Sequence, residues 1–119
     1  MARVFVILDQ QHRDRFTGEM TSKFDFSSAE DYGELVFVLA PNSNPRDPKA
    51  NEELWEALRT YTEADYLLPV GSPVLIMLMG AYAALSEANV SKLTILDWER
   101  DRFNRNQGLY LPVVVDLMT

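Results

Sequence analysis

Apolar residues fall into three short runs along the chain, with polar segments between them. The runs are RVFVILD (Arg3 to Asp9), ELVFVLA (Glu34 to Ala40) and DYLLPVG (Asp65 to Gly71). The first two are rich in β-branched residues without strict alternation, which is typical of strands covered on both faces. Pro69 cannot donate a ladder hydrogen bond, so the third strand is expected to lose its pairing near that residue.

The segments between these strands carry helix signals and one long polar stretch. Gln10 to Phe26 is polar and aperiodic, which predicts a long loop. Ser27 and Glu30 have capping-box spacing and Gly33 follows, so a helix of one or two turns is expected there. In NEELWEALRTYTEA, Asn51 is the predicted N-cap of an amphipathic helix whose apolar stripe is Leu54, Trp55, Leu58 and Tyr61.

A second full helix is predicted after the third strand. Ser72 is a favoured N-cap residue and Pro73 is favoured at the first helical position. The apolar pattern carries this helix to about Glu87 and Ala88. Its most apolar part, Pro73 to Leu85, is shorter than the ~20 residues that span a bilayer, so a buried helix is expected.

The C-terminal part of the chain predicts an antiparallel hairpin. Its strands are Lys92 to about Arg100 and Leu109 to Leu117, joined by a polar turn around Asn104 to Gly108. Pro112 restricts the last strand to a sheet edge or a bulge. The whole pattern predicts one α/β domain over residues 1–119, a small Rossmann-like or flavodoxin-like layer fold with about five strands and a parallel core.

Composition narrows the possible functions. The formal net charge of −7 disfavours nucleic-acid binding, and the absence of cysteine removes disulfides and thiolate chemistry. The N-terminus MARVFVILDQQ begins as a strand and lacks the pattern of a signal peptide, so a cytoplasmic protein is expected. We predict no cofactor and no contact with membranes.

Candidate site residues follow from the rule that open α/β sheets bind ligands at the carboxyl ends of their parallel strands. Those ends carry Asp9, Asn42 with Ser43, and Gly71 with Ser72. Glycine allows close approach at a helix N-terminus, so the Gly71-Ser72 turn is a candidate site for a small anion. The alternative is that Gly71 only forms the turn and Ser72 only caps the helix.

Catalytic motifs are absent from the sequence. It contains neither a glycine-rich dinucleotide or P-loop pattern nor a nucleophile elbow. Asp9 and His12 could form an acid–base pair, although a lone histidine in a polar loop is usually solvated. No further ligands accompany them at metal-binding spacing, so no metal site is predicted.

Two segments suggest contacts with other proteins. Gly80, Ala81, Ala83 and Ala84 allow close helix packing, which predicts either a homodimer or larger oligomer, or full burial within one chain. In DWERDRFNRNQG, Trp98 and Phe103 alternate with arginines, but Asp97, Glu99 and Asp101 offset the positive charge. We interpret this segment as a solvated hairpin tip that is better suited to protein than to nucleic-acid recognition.

The chain contains the segments AEDYGELVFVL and DYLLPVGSP, an apolar helix and a closing VVVDL. In this series of segments it resembles small uncharacterised α/β proteins encoded by bacteriophages. The resemblance covers most of the chain from Ala29 onward. It implies an accessory protein acting in the cytoplasm of an infected bacterium, and it supplies no site residues.

These observations favour a small non-enzymatic binding or accessory protein, which acts through protein contacts or by holding a small anionic ligand at Gly71 and Ser72. Two alternatives stay open. One is a minimal hydrolase or transferase on a nucleotide-like substrate, using Asp9 and His12. The other is an inhibitor of a host protein.

Overall fold

A computed structural model describes residues 2–22, 24–103 and 107–117. The strands in these ranges are β1 (Arg3–Leu8), β2 (Gln11–Arg13), β3 (Met20–Ser22), β4 (Glu34–Leu39), β5 (Tyr66–Leu68), β6 (Lys92–Arg100) and β7 (Gly108–Asp116). The helices are α1 (Pro48–Leu58), α2 (Pro73–Ala84) and a 3-10 helix at Ser27–Asp31.

Five strands form one mixed sheet in the order β4-β1-β5-β6-β7. The pairs among the first four are parallel, and β6 pairs with β7 antiparallel. This confirms the predicted α/β class with a mostly parallel core and a C-terminal hairpin. Pro112 lies in β7 at the edge of the sheet, as predicted.

The two faces of the sheet are covered by different elements. Phe5 and Ile7 of β1 pack in one core cluster with α1 and α2, so both α-helices lie on the same face. Val4 and Val6 point the other way and pack with Phe26 and Ala29, in and beside the 3-10 helix. A second layer of α-helix is therefore missing from that face in the described part of the chain.

The predicted start of α2 is confirmed, and the predicted start of α1 is wrong. Ser72 caps α2 through its hydroxyl, and Pro73 is the first helical residue. Asp47, not Asn51, caps α1, because its side chain accepts a hydrogen bond from the Lys49 amide at 3.0 Å. Asp47-Pro48 thus repeats the arrangement of Ser72-Pro73 one turn before the expected position.

Helix α2 also ends earlier than predicted, at Ala84 instead of Glu87 or Ala88. The amide of Glu87 donates to the carbonyl of Arg59 at 3.0 Å, just beyond the end of α1. The Arg59 guanidinium in turn binds the Glu87 carboxylate. These contacts draw the chain out of the helical path.

The stretch predicted as a long loop contains a short hairpin, so that prediction is wrong for β2 and β3. Asp14 organises its turn by accepting hydrogen bonds from the amides of Phe16 and Thr17 at 2.7 and 3.0 Å. The short helix at Ser27 exists but is not capped as predicted. The Asp25 side chain accepts the Ser27 amide at 2.9 Å, and no side chain caps the 3-10 helix.

A buried carboxylate joins the amino-terminal ends of β1 and β5. Asp65, whose side chain is 3% exposed, accepts from the Arg3 guanidinium at 2.8 Å and from the Arg3 amide at 3.0 Å. It also accepts from the Thr62 amide and hydroxyl, at 2.9 and 3.0 Å. We call Arg3, Thr62 and Asp65 the Asp65 cluster.

The predicted hairpin strands are observed within one residue of their expected bounds. Most of the predicted turn around Asn104 to Gly108 lies outside the described residues, and Gly108 already belongs to β7. Neither α-helix in the described ranges is long and apolar enough to cross a membrane.

Candidate functional site

The sheet order places a topological switch point between β1 and β5. After β1 the chain crosses to β4 on one side, whereas after β5 it crosses to β6 on the other side. Crevices outside the carboxyl ends of the strands open at such a point in α/β proteins. The residues that follow Leu8, Leu39 and Leu68 therefore form the candidate site.

The polar residues after β1 and β4 meet through Gln11. The amide group of the Gln11 side chain donates to Asp9 Oδ2 at 3.4 Å, and Asn42 Nδ2 donates to the Gln11 carbonyl at 3.3 Å. Ser43 Oγ donates to the Ala40 carbonyl at 2.6 Å, which closes the turn after β4. The structure thus brings Asp9 and Asn42 to one part of this edge. The Ser43 hydroxyl is instead occupied by its hydrogen bond to the backbone.

Gly71 and Ser72 form the turn between β5 and α2. Gly71 has φ +139°, a conformation that L side chains rarely adopt, and it lies against Ile7 and Leu8 at the end of β1. Ser72 Oγ accepts the Leu75 amide at 3.3 Å, and Pro73 has no N–H. The Val74 amide is therefore the donor that this first turn can still offer to an anion.

His12 lies on the exposed strand β2, opposite Thr21 in the β2–β3 hairpin. Asp9, three residues earlier, follows β1 and receives the hydrogen bond from Gln11. The acid–base pair of Asp9 and His12 stays a hypothesis. Among the described residues, no three histidine, aspartate or glutamate side chains form a group that could hold a metal ion.

A groove of about 760 Å³ opens beside Gly71, between the end of β5, the far half of the β6–β7 hairpin and the segment before the 3-10 helix. We call it the aromatic groove. Among the described residues, its aromatic lining is Phe24, Trp98 and Tyr110, and its aliphatic lining includes Leu68 of β5, Leu96 of β6 and Val70, which follows β5. Its charged and amide-bearing lining residues are Asp25, Asp97, Arg100 and Gln107.

Trp98 is positioned by its cross-strand neighbour and by a glycine. Its indole packs edge-to-face on Tyr110, the residue opposite it in the register, with ring centroids 4.9 Å apart. A Cβ on Gly108 would lie 2.7 Å from the same indole and 2.5 Å from the Glu99 carbonyl. Only glycine lets β7 pass this closely under the ring.

Tyr110 is fixed by the segment that carries the 3-10 helix. Its amide donates to Ser28 Oγ at 3.1 Å, and its carbonyl accepts from Tyr32 Oη at 2.9 Å. Burial, and then the charge of Asp25, raise the pKa of the Tyr110 phenol. Hydrogen bonds from the amide and side chain of Ser27 lower the pKa of Asp25, so at neutral pH a carboxylate lies near a neutral phenol.

The sequence pointed to one of these lining residues, Gly71, as a site residue. It also singled out Trp98 and Arg100, but as part of a solvated hairpin tip. Phe103, from the same segment, is indeed almost fully exposed. Gly108, two residues before Tyr110, is the sequence signal that separates Trp98 from the exposed Phe103. It could be interpreted only with the register of β6 and β7, which brings Gly108 and Tyr110 next to Trp98.

Comparison with known proteins gives one family and no closer relative. The model of the family described as "Phage Pam3 gp32-like protein" matches residues 2–117, nearly the entire chain. No curated protein and no solved structure matches the chain at a significant level. The resemblance to bacteriophage-encoded α/β proteins is confirmed: the chain belongs to the phage Pam3 gp32-like protein family.

Proposed function

We propose that this protein is a bacteriophage accessory protein that acts by binding, and that its ligand occupies the aromatic groove. The observation that carries the proposal is the groove itself: about 760 Å³, lined by Phe24, Trp98 and Tyr110 together with a few charged groups. Protein pockets that bind small molecules have about this volume, and they are lined mainly by apolar side chains with a few polar groups.

The strand order supports the same edge of the sheet, because Gly71, which follows β5 beside the switch point, also lines the groove. Counted within the main sheet alone, the order β4-β1-β5-β6-β7 is 2-1-3-4-5, the order of flavodoxin-like folds. Those folds bind their ligands at the switch point between the first and third strands of the sheet. We therefore propose a flavodoxin-like layer fold in which a 3-10 helix covers the face that a helical layer would otherwise cover.

The charges of the groove favour a particular ligand class. Asp97 points to the opposite face of β6, so the charged side chains on the groove side, among the described lining residues, are Asp25 and Arg100. The aromatic walls suit a flat ring, and the Asp25 carboxylate, which is close enough to act on the Tyr110 phenol, suits a hydrogen-bond donor or a cation. We therefore propose an aromatic amine or a similar ring-bearing donor, in place of the anion expected at Gly71 and Ser72.

A thermal-shift screen of small aromatic compounds tests this proposal, because a ligand that binds only the folded chain raises its melting temperature. We expect hits enriched in aromatic amines, with shifts that disappear in Trp98→Ala. Trp55→Phe is the matched control, since Trp55 packs against Tyr82 on the helical face. A screen without hits, or hits that persist in Trp98→Ala, would contradict the proposal.

Protein contacts form a second candidate function, favoured by a different observation. Large apolar side chains of α2 and β7, among them Met77, Leu111 and Val113, are exposed. Exposed apolar residues in such numbers favour an interaction site.

A further inference from the structure

One face of strand β7 carries only apolar side chains. Leu93 and Ile95 of β6 belong to the core beneath the helices, and they lie opposite Val115 and Val113 in the register. Because cross-strand partners share a face, the odd-numbered residues of β7 point to the helical side of the sheet. We call this set the β7 stripe: Leu109, Leu111, Val113, Val115 and Leu117.

The helices leave the β7 stripe uncovered. Helix α1 packs on β4, and α2 packs on β1 and β6, so neither contacts the edge strand substantially. The five side chains of the stripe are 37–48% exposed. On α2, Tyr82 faces α1, and Gly80 lies on another flank, where an added Cβ would meet no atom within 4 Å.

The edge of β7 is protected at Tyr110 and Pro112, whereas the face of the strand is open. Leu117 donates its amide to the Ser91 carbonyl, so odd-numbered residues direct their backbone groups toward β6 and even-numbered residues direct theirs outward. Of the outward groups, those of Tyr110 are bonded to Ser28 and Tyr32, and Pro112 has no N–H. A partner is therefore expected to pack on the face and not to extend the sheet.

We propose that a second copy of the chain covers the β7 stripe, so that the protein is a two-fold symmetric dimer. The five side chains of the stripe expose on the order of 350 Å² per copy. Two copies packed face to face would cover about 700 Å² of this apolar surface, and the residues that border the stripe would bring the total toward the roughly 1,000 Å² of a specific interface. The largest apolar patch on a protein surface often marks an interaction site.

Charge decides how the two copies are oriented. Each copy carries a net charge of −7, but the stripe contains no charged residue. Asp97 and Glu99 lie on the same face at one end of the stripe, opposite Leu111 and Leu109. An antiparallel arrangement about an axis near Val113 separates the acids of the two copies, whereas a parallel one would place them together.

Neighbouring valines provide a matched test. Val113 lies in the stripe, and Val114, 60% exposed, points to the opposite face of the same strand. Sedimentation velocity of the full chain should give twice the mass of 13.6 kDa for the wild type and for Val114→Glu. Val113→Glu should sediment as a monomer, and mixing it with Val113→Lys should restore a dimer across the axis.

Three results would overturn the proposal: a wild-type monomer at the highest soluble concentration, a dimer that persists in Val113→Glu, or dissociation caused by Val114→Glu alone. Circular dichroism checks that each variant is folded. If Val113→Glu does not fold, Leu111→Lys on the same face is tested in its place, with the same expected loss of the dimer. The β7 stripe and the buried Tyr110 of the aromatic groove lie on opposite faces, so this test is independent of ligand binding.

Discussion

At the amino-terminal ends of β1 and β5, a buried carboxylate accepts hydrogen bonds from Arg3 and Thr62. At the carboxyl end of β5, side chains of β6, β7 and the segment before the 3-10 helix instead surround a groove of about 760 Å³. The first arrangement leaves no space for a ligand, and the second leaves space with charged groups at its border. This contrast indicates that one end of the sheet stabilises the fold and the other is available for function.

The largest effect is expected at the amino-terminal end. Asp65→Ala leaves the donors of Arg3 and Thr62 without their buried acceptor, which should lower the free energy of unfolding by about 2–4 kcal/mol. Urea denaturation measures the change. Asp31→Ala removes an exposed acid and should change stability by about 0.5 kcal/mol or less. Equal effects of the two substitutions would contradict a stabilising role for the cluster.

At the carboxyl end, alanine in place of glycine should have opposite effects on stability at two positions. Gly108→Ala should cost about 1–3 kcal/mol and shift Trp98 fluorescence, because the new Cβ would collide with the indole and with the Glu99 carbonyl. Gly80→Ala, in open space on α2, should stabilise the protein by about 0.5–1 kcal/mol. An unchanged Trp98 emission in Gly108→Ala would show that the glycine does not position the ring.

Acid should weaken the amino-terminal end through Asp65. Burial raises the pKa of Asp65, but hydrogen bonds from Arg3 and Thr62 outweigh it and hold that pKa below its usual value. The folded state therefore gains stability above the unfolded pKa of about 3.9, and this gain is lost as the pH falls through the folded pKa. Urea midpoints measured from neutral pH downward should show this loss in the wild type and a smaller one in Asp65→Asn.

The smallest effect is expected at the exposed histidine. His12→Ala should change stability by about 0.5 kcal/mol or less, because the side chain lies on the surface of the β2–β3 hairpin. It should also leave the thermal shifts produced by aromatic amines unchanged. A hydrolase or transferase activity that is found in the wild type and lost in this variant would instead support the acid–base pair of Asp9 and His12.

Local signals were sufficient for much of the fold. The β-branched runs predicted β1 and β4 within one residue, and Ser72-Pro73 predicted the start of α2. The same local reasoning placed the N-cap of α1 at Asn51 because acids follow it in the first turn, whereas the observed cap is Asp47. The β2–β3 hairpin escaped prediction since its strands are three residues long and its turn depends on Asp14.

The aromatic groove was beyond prediction for a different reason. Trp98 and Tyr110 become neighbours only through the register of the hairpin, and Phe24 reaches them from a distant segment of the chain. The strand-end rule selected the edge of the sheet at which the groove opens, since Gly71 lines the groove. Such tertiary contacts leave no periodic signal in the sequence.

We propose that the carboxyl end of the sheet binds a ring-bearing donor in the aromatic groove. The most direct measurement is a titration of the labelled protein, followed by amide NMR, with tryptamine and with indole-3-acetate, which share a ring but differ in charge. We predict that tryptamine perturbs residues of the groove such as Trp98, Gly108 and Tyr110 more strongly than indole-3-acetate does. Stronger perturbation by indole-3-acetate at Ser72 to Leu75 would support the anion site instead, and no perturbation of the groove by either compound would contradict the account.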